Sequence, residues 1–521
     1  MSKITRREWL HRTGGLAVGA GLGSLIGEGS LVGENVRLAG AQGQPKRGGV
    51  LKVATVDKPV NMDPGYAQLY SSLQVYQNVY NKLVYVDENG QFIPGLAKSW
   101  KQEDERTWLF DLVDNAMFHN GEPFTAKDVA FTFARILDAK NKLPMRIFFT
   151  PIEGVEAVGK YQARFHLSRS CGPLLAMLAQ ATEVVNEKAL SEKDPKLFPI
   201  GTGPYRFAEW VKDDHITLER WEKYHRPGRP YLDKIIFYAP ADDTVRLTGL
   251  QTGRFNWIQT VPPQRIGELE RARDMKSSPG RPYFPFYFML NASKPPLADK
   301  RLRQAIAWAL DRSEIVKLVY YGSHVVTAEP TPEPSIWATG VNAHKGAPDL
   351  AKARQLMTEA GVGGGLSLTY LVKSQVPVLV KTGEILREQL KKIGITLEVQ
   401  PLESGQYFES LVGKKFDIAG AWWSVTVDPD LFYNPMQHST SPWNFTGFKS
   451  EEADRRLDAF RYTASAAARK KMYPELVRWF QEEGSLIVFS NEIQRYWMKP
   501  NVNGMVPLSS LELRFEDVWL G

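Results

Sequence analysis

The sequence predicts an α/β protein, and three observations carry that class. Strand-like and helix-like patterns alternate between about residues 365 and 430. At 521 residues the chain is too long for one compact core, so two or three domains are expected. A hydrophobic content of 43% with 24% charge is the composition of a folded globular chain.

The elements follow in order. GGVLKVATV (residues 48–56) alternates around Leu51 and Val53 and predicts the first strand. In SSLQVYQNVYNKLVYV, from Ser71, the recurrence of Leu73, Tyr76, Tyr80 and Leu83 predicts a long amphipathic helix. ENGQFIPG supplies turn chemistry. Thr107 to Leu112 alternates as a strand, HNGEPF turns, and Thr125 stands as N-cap to the helix AKDVAFTFARIL. VEAVGKYQARFHL adds further strands.

The pattern is clearest from residue 365. LSLTYLV reads as a strand and KTGEILREQLKKIG as a helix, with Ile385, Leu386, Gln389 and Ile393 on one face and Gly394 as its stop. ITLEVQPL is a strand, GQYFESLVG a short helix, and DIAGAWW another strand. This alternation implies right-handed crossovers and a mostly parallel sheet, whose ligands sit beyond the carboxyl ends of the strands. The loop AWWSVTVDPDLF begins at such an end, so its position makes it a ligand-loop candidate. Trp422 and Trp423 point to opposite faces if the strand runs through both. Pro429 suits N1 of a following helix with Asp430 in its first turn, leaving Asp428 as either a helix cap or a ligand contact.

The N-terminus carries adjacent Arg6 and Arg7, a weakly apolar Gly-rich run and the small-residue site LAGA before Gln42. That order fits an export signal cleaved near Ala41, and the arginine pair resembles a twin-arginine signal. Glu28 and the many glycines make the run a poor membrane span. Removing it takes five basic and three acidic residues, leaving about +5 of the +7 net charge. The remaining lysines and arginines are dispersed, which argues against nucleic acid.

Catalytic and cofactor chemistry has no positive sign. Cys171 is the only cysteine, so an intramolecular disulfide, an iron–sulfur cluster and a Cys-rich zinc site are excluded. The eight histidines form no HExxH or HxH pair. No GxSxG elbow or GxxxxGK[ST] loop occurs, and GVGGG precedes a strand without nucleotide-loop spacing. No cofactor or metal is expected, and an exported enzyme is the weaker rival.

Several separated segments then identify a family. LAKSW followed by FHNGEPFTAKDVAFTF, then GTGPYRF, DKRLRQAIAWALDR and a terminal VNG, in this order, resemble the family 5 extracellular solute-binding proteins of bacterial ABC importers. Taken alone, these segments read as scaffold: Leu302, Ala305, Ile306, Ala309 and Leu310 form the buried stripe of a helix. The resemblance implies a periplasmic-binding-protein-like architecture of type II, cluster C-like, with two α/β lobes around a cleft and an extra subdomain inserted in lobe I. Lobe I maps to 42–88, 201–286 and 497–521, the insertion to 89–200 and lobe II to 287–496, with crossings near FPFYFMLN and RYWMKP. It also implies a periplasmic protein that captures a peptide or peptide-sized solute by hinge closure and delivers it to membrane permease subunits; the Arg6–Arg7 signal points to export by the twin-arginine translocase, and a monomer is the default expectation. Cleft candidates are Tyr66, Tyr70, Arg146, Trp257, Gln259, Tyr287, Asn291, Trp422, Trp423, Val425 and Asp428. Anchored on DPD, Val425 falls where the family's peptide binders hold an aspartate for the ligand's ammonium. Valine accepts no hydrogen bond, and an unpaired buried ammonium costs several kcal/mol. A glycoside, an opine-like or aromatic compound, or a nickel chelate are therefore the alternatives to a peptide.

Overall fold

The structure is a computed structural model that describes residues 43–66, 70–240, 242–344, 346–423, 427–506 and 512–521. Arg6, Arg7, the cleavage site near Ala41 and Val425 lie outside these residues, as does the side chain of Tyr70.

Two mixed sheets organise the chain. The first has seven strands, in spatial order Lys276–Ser277, Trp497–Met498, Trp257–Ile258, Val50–Ala54, Lys234–Tyr238, His215–Arg220 and Tyr205–Val211. Val50–Ala54 pairs in parallel with Lys234–Tyr238 and Trp257–Ile258, because the returning chain reaches it through intervening segments. Leu51 and Val53 are fully buried in its core with Trp257, Phe237 and Phe515.

The second sheet has six strands, in the order His324–Val326, Leu486–Gln494, Arg281–Leu290, Ile418–Trp422, Leu366–Lys373 and Ile395–Leu402. Only the strands from 366 to 422 are mutually parallel; Arg281–Leu290 runs antiparallel to both of its neighbours. The mostly parallel sheet expected from local alternation is thus a parallel corner of a mixed sheet. Strands recruited from distant parts of the chain carry no βαβ constraint, so local pattern could not report their direction.

A third layer, the four-stranded antiparallel sheet Ala97–Asp104, Thr107–Leu112, Gln162–Leu167 and Ile152–Ala157, packs on Ala126–Leu137 and Leu174–Ala181. Thr125 caps Ala126–Leu137 through a capping box with Asp128. The long helix expected from Ser71 is instead the seven-residue Tyr70–Tyr76. Its continuation is bent away because the carbonyls of Asn78 and Val79 accept from Tyr205 and Gly203 at 3.0 and 2.8 Å. A Cβ on Gly203 would lie 2.5 Å from the Val79 carbonyl carbon, so the GTGPYRF glycine permits that close approach.

The chain leaves the first sheet at Ser277, enters the second at Arg281, and returns between Gln494 and Trp497. The first crossing thus precedes FPFYFMLN, whose residues up to Leu290 all belong to the second sheet. The two crossings lie side by side: Ser278 N donates to the Tyr496 carbonyl at 2.8 Å, and Tyr496 N to the Ser278 hydroxyl at 3.0 Å. No helix among the described residues is long and apolar enough to cross a membrane.

Candidate functional site

The parallel strands of the two sheets turn their carboxyl ends toward each other. Lys373, closing Leu366–Lys373, feels the charge of Asp57 from the loop after Val50–Ala54. Glu492, near the end of Leu486–Gln494, feels that of Asp243 at the start of the helix Asp243–Gln251. Burial and Asp243 together push the Glu492 carboxyl up to about 7. The gap between these edges is where an open α/β sheet binds ligands.

The second lobe contributes an aromatic wall. Trp422 ends Ile418–Trp422, is half-buried, and stacks on Phe286 at 6.0 Å between centroids. Lys373 Nζ lies 5.4 Å from the Trp422 ring and 5.6 Å from that of Tyr407. Trp423 packs elsewhere, edge-on to Trp443 at 5.2 Å, and Trp443 meets Phe148 at 5.5 Å. The two adjacent tryptophans therefore join different clusters, although the strand stops at Trp422 and does not run through both. Tyr66 from the first lobe lies against the same cluster as Trp423, with its hydroxyl donating to the Asn141 carbonyl at 3.0 Å and Lys196 over its ring at 4.5 Å.

The DPD acids are neutralised inside the second lobe. Asp428 receives two 2.7 Å bonds from the Arg469 guanidinium and accepts the Asp430 backbone N–H at 2.9 Å. Asp430 is gripped by Arg461, with its shortest contact 2.7 Å. All four side chains are buried. The helix begins at Asp430 with Pro429 as its cap residue, one position later than expected.

Other candidates have their polar atoms committed. Asn291 is fully buried and donates to the carbonyls of Lys414 and Phe416 at 2.9 and 2.8 Å. Gln259 accepts the Val56 N–H at 3.0 Å, holding the loop that carries Asp57. Trp257 is enclosed in the first lobe's core against Tyr496, and Tyr287 in the second's against Phe432. Arg146 is exposed and bonds the Leu137 carbonyl at 2.9 Å. Lys373, Tyr407, Trp443 and Glu492 were not singled out in the sequence. Lys373 alone had a local signal, as the polar residue at the carboxyl end of a predicted strand. Among the described residues no three His, Cys, Asp or Glu side chains converge as a metal site.

Two mixed α/β lobes, joined by paired crossings and facing each other across their strand ends, define a type II periplasmic-binding-protein fold. The DppA protein of Helicobacter pylori, solved with the peptide STSA, superposes with a TM-score of 0.83 at 24% identity, covering 91% of this chain and 98% of that one. Bacillus subtilis AppA, solved with a nonapeptide, gives 0.82 at 25% over 92% and 100%. In sequence, the glutathione-binding protein GsiB of Pectobacterium atrosepticum is 25% identical over 80% of this chain and 83% of its own. The model of the bacterial extracellular solute-binding proteins, family 5 Middle, matches residues 91–444. The chain belongs to this family.

Proposed function

We propose that this protein captures a peptide or a peptide-sized organic solute between its lobes and presents it to the permease of an ABC importer. The single observation carrying this reading is the half-buried Trp422 at the carboxyl edge of the second sheet, beside Lys373, which feels the charge of Asp57 on the first lobe. Apolar and aromatic rings removed from water supply affinity without demanding one solute geometry. The relatives named for glutathione and oligopeptides make a peptide the first solute to test.

Tyr66 and Trp422 are the candidates best disposed toward the gap, whereas Asp428 is held by Arg469 and the Asp430 N–H inside the second lobe. Rotation about the crossings at 278–281 and 494–497 closes the lobes over the solute. No bond of the solute is made or broken. Export on the Arg6–Arg7 signal, a periplasmic location, a monomeric state and a chain starting near Gln42 belong to the same proposal.

Native mass spectrometry of the protein purified from its host tests it. A bound solute, thermal stabilisation on adding that solute and no turnover of it are the expected results. Conversion of the solute to product would sink the binding-protein reading. Trp422→Ala weakens solute binding roughly tenfold or more if the wall is as described.

A further inference from the structure

The four-stranded layer is fixed to the first lobe and also grips the second. On the first-lobe side, Lys82 Nζ donates to the Ala179 and Gln180 carbonyls at 2.9 and 3.2 Å, and His119 N to the Gly201 carbonyl at 2.9 Å. On the other side, the turn between Gln162–Leu167 and Leu174–Ala181 meets the helix Glu451–Tyr462 of the second lobe. Arg169 reaches Asp458 at 3.1 Å with its guanidinium 3.6 Å from the Tyr462 ring, and Gly172 N donates to the Arg461 carbonyl at 2.9 Å. The Thr150 hydroxyl accepts from the Arg461 guanidinium at 3.5 Å, and Phe148 meets Trp443 edge-on.

These contacts have the density of an interior. Val427 and Leu431 of the second lobe are buried in the same core as Phe148, Phe149 and Leu174 of the layer. A Cβ on Gly172 would lie 2.2 Å from the Thr463 carbonyl oxygen and 2.5 Å from Arg469 Cδ, so only glycine lets the two backbones approach. The Gly172 φ lies outside the left-handed region, so the approach demands glycine and the turn does not. Cys171 beside it turns its thiol to Met177 Sδ at 3.9 Å, back into the layer.

Rotation about the crossings at 278–281 and 494–497 draws the second lobe away from a layer bonded to the first, returning Phe148, Val427 and Leu431 to water. The Arg169–Asp458 pair is exposed and screened, so it adds little by itself; the apolar contact and the close packing at Gly172 carry the hold. Every group in the contact belongs to the chain, so it forms without help from a solute.

We propose that the four-stranded layer is a latch: through Phe148, Thr150 and the turn from Arg169 to Gly172 it holds the second lobe against the first and biases the protein toward the closed form before solute binds. The proposal rests on the two-lobe closure read above and adds what sets its equilibrium. That bias decides how often the cleft opens to exchange solute.

Small-angle X-ray scattering of the full chain tests it, after any solute is stripped by dialysis from urea and refolding is checked by circular dichroism. The wild type is expected to scatter as the closed form described here. Gly172→Val wedges a side chain against the Thr463 carbonyl, and Arg169→Glu sets like charges against Asp458. Both are expected to raise the radius of gyration, the first more than the second. Gly154→Val, on the strand Ile152–Ala157 of the same layer, where a Cβ meets nothing within 4 Å, is expected to leave it unchanged. An open wild type, equal radii in all four proteins, or an equal rise in Gly154→Val overturns the proposal. If Gly172→Val does not refold, Arg169→Glu decides alone, and a radius equal to that of the wild type overturns the latch. The scattering needs no solute, so a solute found by native mass spectrometry together with unshifted scattering leaves the capture reading standing and removes only the latch.

Discussion

Replacing Asp428 by asparagine tests the buried ion pairs of the second lobe most directly. The amide keeps the shape of the side chain and an oxygen for the Asp430 N–H, but removes the charge and turns an NH2 donor toward one Arg469 N–H. The Arg469 guanidinium then stays buried at 1% exposure without its partner, keeping its bond to the Phe460 carbonyl at 2.9 Å and its contact with the Phe460 ring at 4.2 Å. Removing one member of a buried pair costs about 3–5 kcal/mol. The neighbouring Asp430 also bears on Arg469, which puts the expected loss near 3 kcal/mol, about the lower end of that range. Adding Arg469→Met removes the stranded charge, so the double variant recovers most of the loss and the coupling is positive. Urea unfolding followed by tryptophan fluorescence reads this, with the second lobe's transition analysed separately because a two-lobed chain need not unfold in one step. A loss under about 1 kcal/mol for Asp428→Asn, or a double variant as unstable as the sum of the singles, refutes the reasoning. Unchanged stability with abolished binding would instead make Asp428 a solute contact.

Three further outcomes follow from buried titratable groups. His119, His225 and His344 are held neutral by burial, with pKa values depressed to about 4, 4 and 3. Their folded values lie below the unfolded value near 6.5, so their contribution is intact above about pH 6.5 and is lost as pH falls toward 4. The urea midpoint should fall over that window, and His119→Gln should flatten the slope; an unaltered slope contradicts the assignment. Glu492 has the opposite sign, because its carboxyl is raised to about 7 and its ionised form is disfavoured in the fold. Glu492→Gln should stabilise at about pH 8, by up to about 3 kcal/mol, and have no effect near about pH 4; equal effects at both pH values refute this. Cys171 is 3% exposed with its thiol pushed up to about 12, so a thiol reagent at about pH 8 should label it only at the rate of unfolding. Rapid labelling of native protein would contradict that burial.

Local elements were legible wherever a short-range rule governs them. The strand Thr107–Leu112, the helix Ala126–Leu137 with its Thr125 cap, and the strand Ile395–Leu402 occur at the residues expected from periodicity and capping. The helix after Ser71 failed because apolar spacing cannot register a competing tertiary demand on the backbone. There the demand comes from the distant turn at Gly203 and the strand that follows it, which take the Val79 and Asn78 carbonyls. Strand direction in the second sheet failed likewise, since the antiparallel strand Arg281–Leu290 comes from far outside the window that predicted parallel pairing.

The candidate loop at the end of Ile418–Trp422 shows the same division. From AWWSVTVDPDLF its location at a strand end could be read from chain periodicity, while the meaning of a valine at 425 came from the family resemblance. The occupants of its acids could not. Arg461 and Arg469 lie 31 and 41 residues beyond their aspartates, on other elements, and nothing in their local sequence marks them as buried. Lys373 directly follows the predicted strand LSLTYLV, but its place against the rings of Trp422 and Tyr407 is a fact of three-dimensional neighbourhood. A charge takes its function from what surrounds it in low dielectric, and only the packed fold brings those surroundings together.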